Sequence, residues 1–201
     1  MYQPLDSFDA LQLLEAPATT PVTLAEVKDQ LRVEHPDDDV LLTRLIKVAV
    51  AYTDAQGALG QAMISQKWGQ WVHSVPPQSV RLSLGPVIQV DAVKYYDTAG
   101  VLQTDTLSNY QITGVGFATQ IGPKEGFNWP VTQDRADAIR IDFTAGYGTT
   151  TADIPETLRH AMLMLIGHWY DNRENTMMDE LSNIPYGFDA LLNMQRRSWY
   201  G

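Results

Sequence analysis

The stretch AGYGTTTADIPETLRHAMLMLIGHWYDNRE, residues 145–174, decides how the chain is put together. It opens on the end of a strand, AIRIDFTAG, whose alternating Ile139, Ile141 and Phe143 are expected to face a core. Its second half changes period. Leu158, Met162, Leu165, Ile166 and Trp169 recur every three or four residues, the apolar stripe of an α-helix. Between the two periods, Asp153 is placed to cap the helix, Pro155 to sit in its first turn, and Glu156 to complete a capping box. A glycine-flanked turn before such a helix has three readings: a phosphate loop, a metal-bearing helix, or a strut.

Residue chemistry favours the strut. A phosphate loop of the Walker type needs Gly-x-x-x-x-Gly-Lys-Ser/Thr, whereas GYGTTTAD lacks the lysine and carries Asp153, which repels phosphate. His160 and His168 lie two helical turns apart, with no acid at the spacing of a zinc-protease helix, and His35 and His73 fall in unrelated segments. Asp37, Asp38 and Asp39 lack the alternating ligands and the glycine of a calcium loop, and read better as a helix start on a solvated face. There is no Gly-x-Ser-x-Gly and no cysteine nucleophile. In HWYDNRE, Trp169 continues the apolar stripe, and Arg173 suits the carbonyls and dipole at a helix C-terminus. Nothing in the stretch demands an enzyme.

Working outward, TLAEVKDQLRV is a short helix. Thr23 and Glu26 have capping-box spacing, and Leu24, Val27 and Leu31 share a face. After EHPDDD, where one of Asp37–Asp39 can cap, Leu41, Leu42, Leu45, Ile46, Ala49 and Val50 mark a second helix, ended by Gly57 and Gly60. Leu31, Leu45 and Trp169 are expected in the helical core. From Gln66 to Phe143 the pattern is that of strands: KWGQWVHSV, VRLSL, VDAVKYYD, YQITGV and AIRIDFTAG. YYDTAGVLQ reads as a hairpin with Gly100 at a positive-φ position. Residues 1–20 read as an extended lead-in and 113–137 as loop.

Composition bounds the function. The 201 residues are 44% hydrophobic and 19% charged, enough for a sizeable core. A formal net charge of -10 disfavours wrapping nucleic acid, which requires cations to displace counterions. The absence of cysteine removes disulfides and thiolate zinc sites. The first residues carry acids where a secretory signal carries bases, and no apolar run reaches the ~20 residues of a membrane span, so a soluble cytoplasmic product is expected.

The C-terminal segment IPYGFDALLNMQRRSWY is broken by Pro185 and Gly187 yet rich in aromatics, Met and Arg, the residue types of interfaces. Two readings stand: a tail that docks on a partner, or one folded back on its own domain.

The ordered set PVTLAEVKDQLRV, DDDVLLTRLIKVA, SLGPVIQVDAVKYYDTAG, NWP, FTAGYG, DIPETLRHAMLMLIGHWYDNRE and IPYGFDALL, spanning residues 21–192, resembles the head–tail connector, or adaptor, proteins of tailed bacteriophages and phage-like gene transfer agents. The resemblance implies an α+β fold in one adaptor domain over residues 1–201. Its helical-bundle core covers about 21–62 and 153–176, an antiparallel β-rich insertion about 66–150, and a C-terminal docking tail about 177–201. It implies a structural virion protein, with no cofactor, at the head–tail interface. Such a protein forms a ring, expected to be dodecameric, between the portal protein and a tail-side stopper or tail-terminator protein. DNA passes through without sequence-specific binding. The tail is the implied portal contact, through Tyr186, Phe188, Leu191, Leu192, Arg196, Arg197 and Trp199, with Thr23 and Asp153 as helix caps. The competing reading is a soluble hydrolase or metal-dependent enzyme with a scattered site.

Overall fold

Both periods of the sequence take shape in the computed structural model, which describes residues 11–72, 78–172 and 186–195. In chain order the described elements are β1 (Leu11–Glu15), α1 (Leu24–Leu31), α2 (Asp39–Thr53), β2 (Gln66–Val72), β3 (Val80–Arg81), β4 (Val87–Tyr96), β5 (Leu102–Asp105), β6 (Tyr110–Thr113), β7 (Gln120–Pro123), β8 (Ile139–Ala145), α3 (Glu156–Asp171) and α4 (Tyr186–Gln195). The fold is α+β. The chain divides into two compact units, residues 1–17 with 65–147, and residues 18–64 with 148–201.

The first unit holds two antiparallel sheets. One has the order β1-β2-β8-β4-β5, the other β3-β7-β6. Period-two alternation sets the faces of the larger sheet. Trp68 lies opposite Phe143, and Gln70 opposite Ile141. Trp68, Val93, Ile139, Ile141 and Phe143 are buried together with Leu82, Leu84 and Ile121 from the smaller sheet's side. Gln70, also buried, joins the layers by donating to the Arg81 carbonyl and accepting from the Ser83 N–H. On the other face of β8, Asp142 takes a two-pronged bond from Arg140 and a 3.3 Å contact from Lys94. Gly69 makes room for this pair, since a Cβ there would meet Arg140 Cδ at 2.9 Å. Trp71 stacks on Tyr96 beside it.

The hairpin from β4 to β5 turns at Gly100, with φ +79°. Three strand boundaries differ from expectation. Residues 11–15 are not lead-in but an edge strand, antiparallel to β2. The loop expected over 113–137 contains β7, paired with β3 and β6. Of VRLSL, only Val80 and Arg81 are strand.

The second unit is helical. The Thr23 capping box is present in both directions: the Thr23 hydroxyl accepts from the Glu26 N–H, and the Glu26 carboxylate accepts from the Thr23 N–H. Helix α1 ends on Arg32 in the left-handed region, φ 57°. Helix α2 buries Leu42, Ile46, Ala49 and Thr53, and α3 buries Leu158, Ala161, Met162, Leu165 and Ile166. Leu31, Leu45 and Trp169, expected as core, are only half-buried. They flank a centre that sits one helical step further in. Asp153 does not cap α3. It closes the 3-10 turn Thr151–Asp153 by accepting from the Thr150 N–H and hydroxyl, and α3 starts after Pro155 with no side-chain cap. Glu156 accordingly closes no capping box and pairs with Arg159 instead.

Candidate functional site

The C-terminal helix was the sequence's candidate contact segment, and the structure divides its residues into two sets. Phe188 and Leu192, 0% and 1% exposed, belong to the unit's own core. Helix α4 packs on α3, and the Phe188 ring lies 6.0 Å from that of Tyr52 on α2, which in turn meets Trp169 edge-on at 6.2 Å. Gly187 fits this packing because a Cβ there would meet Met164 Cε at 2.9 Å. The expectation of a tail presenting Phe188 and Leu192 to a partner is therefore corrected: helix formation lets both side chains reach the core, so the segment folds back. Leu191 is half-buried, and Tyr186 opens the helix. Arg196, Arg197 and Trp199 lie outside the described residues.

The end of α4 is held from two directions. The Gln195 side chain donates to the Thr157 hydroxyl at 2.9 Å, and the Gln195 carbonyl accepts from the Gln61 side chain at 3.0 Å. These two glutamines fix the end of α4. Sequence reading missed them, because a polar residue at a helix end carries no periodic signal.

The outward side of α4 presents Asp189, Ala190, Asn193 and Met194, the last 71% exposed. The outward side of α2 presents Val40, Arg44, Lys47 and Val48, with Val40 75% exposed. Asp39, Val40, Thr43, Arg44 and Lys47 border a shallow groove of about 400 Å³. Asp39 is drawn back toward Lys28 at 2.6 Å.

Inside the bundle, Arg159 of α3 bridges Glu26 of α1 and Glu156. Partial burial pushes the Glu26 carboxyl up, but hydrogen bonds from Thr23 and the Arg159 guanidinium outweigh that and hold it below its ordinary value. In the β unit, burial and then the hydrogen bond to Asp105 push the Tyr110 phenol up, so it stays a donor. Asp97 and Asp153 are held below the usual range, in each case first by a backbone N–H. These carboxylates are tied to structural partners. Among the described residues no three His, Asp or Glu side chains gather as a metal site, and no helix is long and apolar enough to cross a membrane. The arrangement offers surfaces for assembly.

Comparison with known proteins agrees. The family model described as phage gp6-like head-tail connector protein matches residues 21–116 and 132–196. Among solved structures, a chain in the neck of an empty gene transfer agent particle computed with C6 symmetry superposes with a TM-score of 0.74 at 24% identity, covering 95% of this chain and 98% of the other. A chain of the virion of a native gene transfer agent particle gives the same figures. A chain in the neck of a native particle computed with C12 symmetry gives a TM-score of 0.67 at 22% identity, covering 94% and 98%. No curated protein matches the chain.

Proposed function

The chain belongs to the phage gp6-like head-tail connector family, a family of structural virion proteins, and from that premise we propose that it is one subunit of a ring between the portal and the tail-side proteins. The neck structures it resembles were computed with C6 and C12 symmetry, which supports a ring of twelve subunits or a multiple of six. DNA passes the centre of such a ring. A net charge of -10 suits a passage that repels the phosphate backbone and does not bind it. On the tail side the proposed neighbour is a stopper or terminator protein.

The observation that carries the portal assignment is the clamp on Gln195. Thr157 and Gln61 hold the end of α4 against the bundle. Since Phe188 and Leu192 are already buried at home, the portal contact falls to Arg196, Arg197, Trp199 and Tyr200. Aromatic and Arg side chains are the usual anchors of a small interface. Deleting residues 196–201 removes these anchors and leaves α4 intact. The expected result is a chain that melts like the parent but no longer co-sediments with purified portal rings. Undiminished co-sedimentation transfers the contact to the body of the protein.

A further inference from the structure

We infer that the outward stripe of α2 receives the outward face of α4 from a second copy of this chain, a head-to-tail contact that repeats around the ring. The inference rests on the ring proposed above and names the surfaces that close it.

Helix periodicity places the two faces. On α2, Val40, Arg44, Lys47 and Val48 recur at intervals of three and four, on the side opposite buried Leu42, Ile46 and Ala49. Val40 and Val48 are 75% and 46% exposed, an apolar pair unusual on a solvated helix face. Arg44 and Lys47 stand beside them, both exposed, and neither meets a carboxylate among the described residues. Asp39, the acid that borders the same groove, is engaged by Lys28. The Val40, Arg44 and Lys47 side chains border the 400 Å³ groove.

The complement is on the same chain. Away from its buried side, α4 exposes an arc that runs from Asp189 through Asn193 and Ala190 to Met194, the last at 71%. Met194 has the size and adaptability to enter the groove beside Val40. Asp189 supplies the charge that Arg44 and Lys47 lack. The Tyr52–Phe188 contact packs α4 by its inner side against the bundle, so its outer face is turned away from the core that α2 shares. A self-complementary pair of different patches on one body gives a heterologous contact, which closes a ring when the rotation per subunit allows.

The chain contains no cysteine, so introduced thiols are the only ones that react. Thr43→Cys, Ala190→Cys and the double variant are treated with a short bis-maleimide, after native mass has been measured for the parent, alone and with portal rings. A head-to-tail contact predicts a ladder of covalent oligomers from the double variant and no cross-link from either single one. A cross-linked dimer from Thr43→Cys alone overturns the pairing, because it would set α2 against α2. An associating parent whose double variant gives no ladder overturns this interface and leaves the ring standing. A parent that remains a single subunit under both conditions overturns the ring and the interface together.

Charge reversal gives an independent reading. Arg44→Glu with Lys47→Glu, and separately Asp189→Arg, should each weaken association by about tenfold or more, since like charges then face each other. Mixed in equal amounts, the two variants restore opposite charges at every contact and should associate again. A mixture as weak as its components overturns the assignment.

Discussion

Glu26 shows how one side chain joins local and tertiary structure. It closes the capping box on α1 and receives Arg159 from α3, so a single carboxylate anchors a helix start and a helix–helix contact. Its pKa is lowered in the folded chain from an ordinary value of 4.5, so the folded state binds that proton less readily than the unfolded chain. The stabilisation is complete above pH 4.5 and is lost as pH falls through the folded value. Asp97 and Asp153 shift in the same direction and add to the same acid limb. Glu26→Gln should cost about 1–2 kcal/mol near neutral pH, the scale of a charge-assisted hydrogen bond and a cap. The difference from the parent should shrink as both are titrated toward pH 3. Chemical denaturation at several pH values checks this, and a penalty that stays constant down to low pH would remove the carboxylate from the explanation.

At the scale of elements, α4 repays comparison with α3. Phe188 is enclosed by α3 and the Tyr52 ring, whereas Trp169 is half-buried at the bundle's margin. Phe188→Ala should therefore cost about 3–5 kcal/mol, and Trp169→Ala distinctly less, about 1.5–3 kcal/mol, in thermal or denaturant melts. The reverse order would mean that α4 contributes little to the core. The stripe of α3 was legible in sequence because its apolar residues repeat over four turns. Helix α4 was not, because Pro185 and Gly187 read as breakers. Yet a proline just before a helix costs it no hydrogen bond, and Gly187 is accommodated by the close approach of Met164. Strand β1 escaped notice as a short edge strand with a mixed pattern. Strand β7 escaped because Gly122 and Pro123 resemble loop residues; a Cβ at Gly122 would meet the Gln78 carbonyl oxygen at 2.4 Å, so packing calls for that glycine. The contact surface was the least legible part. Arg44, Lys47 and Asp189 gain meaning only when the folded chain shows which side of each helix is buried.

For the whole molecule, the division into two units is a statement about folding as well as shape. The helical unit closes over its own core, with Leu42, Ile46, Leu158, Met162, Leu165, Phe188 and Leu192 all buried. The β unit enters and leaves it between Ile64 and Gly148, and these two residues form a bridge with each other. Their backbones are therefore neighbours, and a few Gly/Ser residues can join them with little loop-closure cost. Residues 1–17 must go as well, because β1 pairs with β2 and would be left as an orphaned strand. A chain of residues 18–64, a short linker and 148–201 is expected to show strong helical circular dichroism and a cooperative melt. It retains both faces of the interface inferred above, since α2 and α4 are present. A linked chain without helical signal would show that the bundle cannot fold without the β unit, and that the two form one cooperative core.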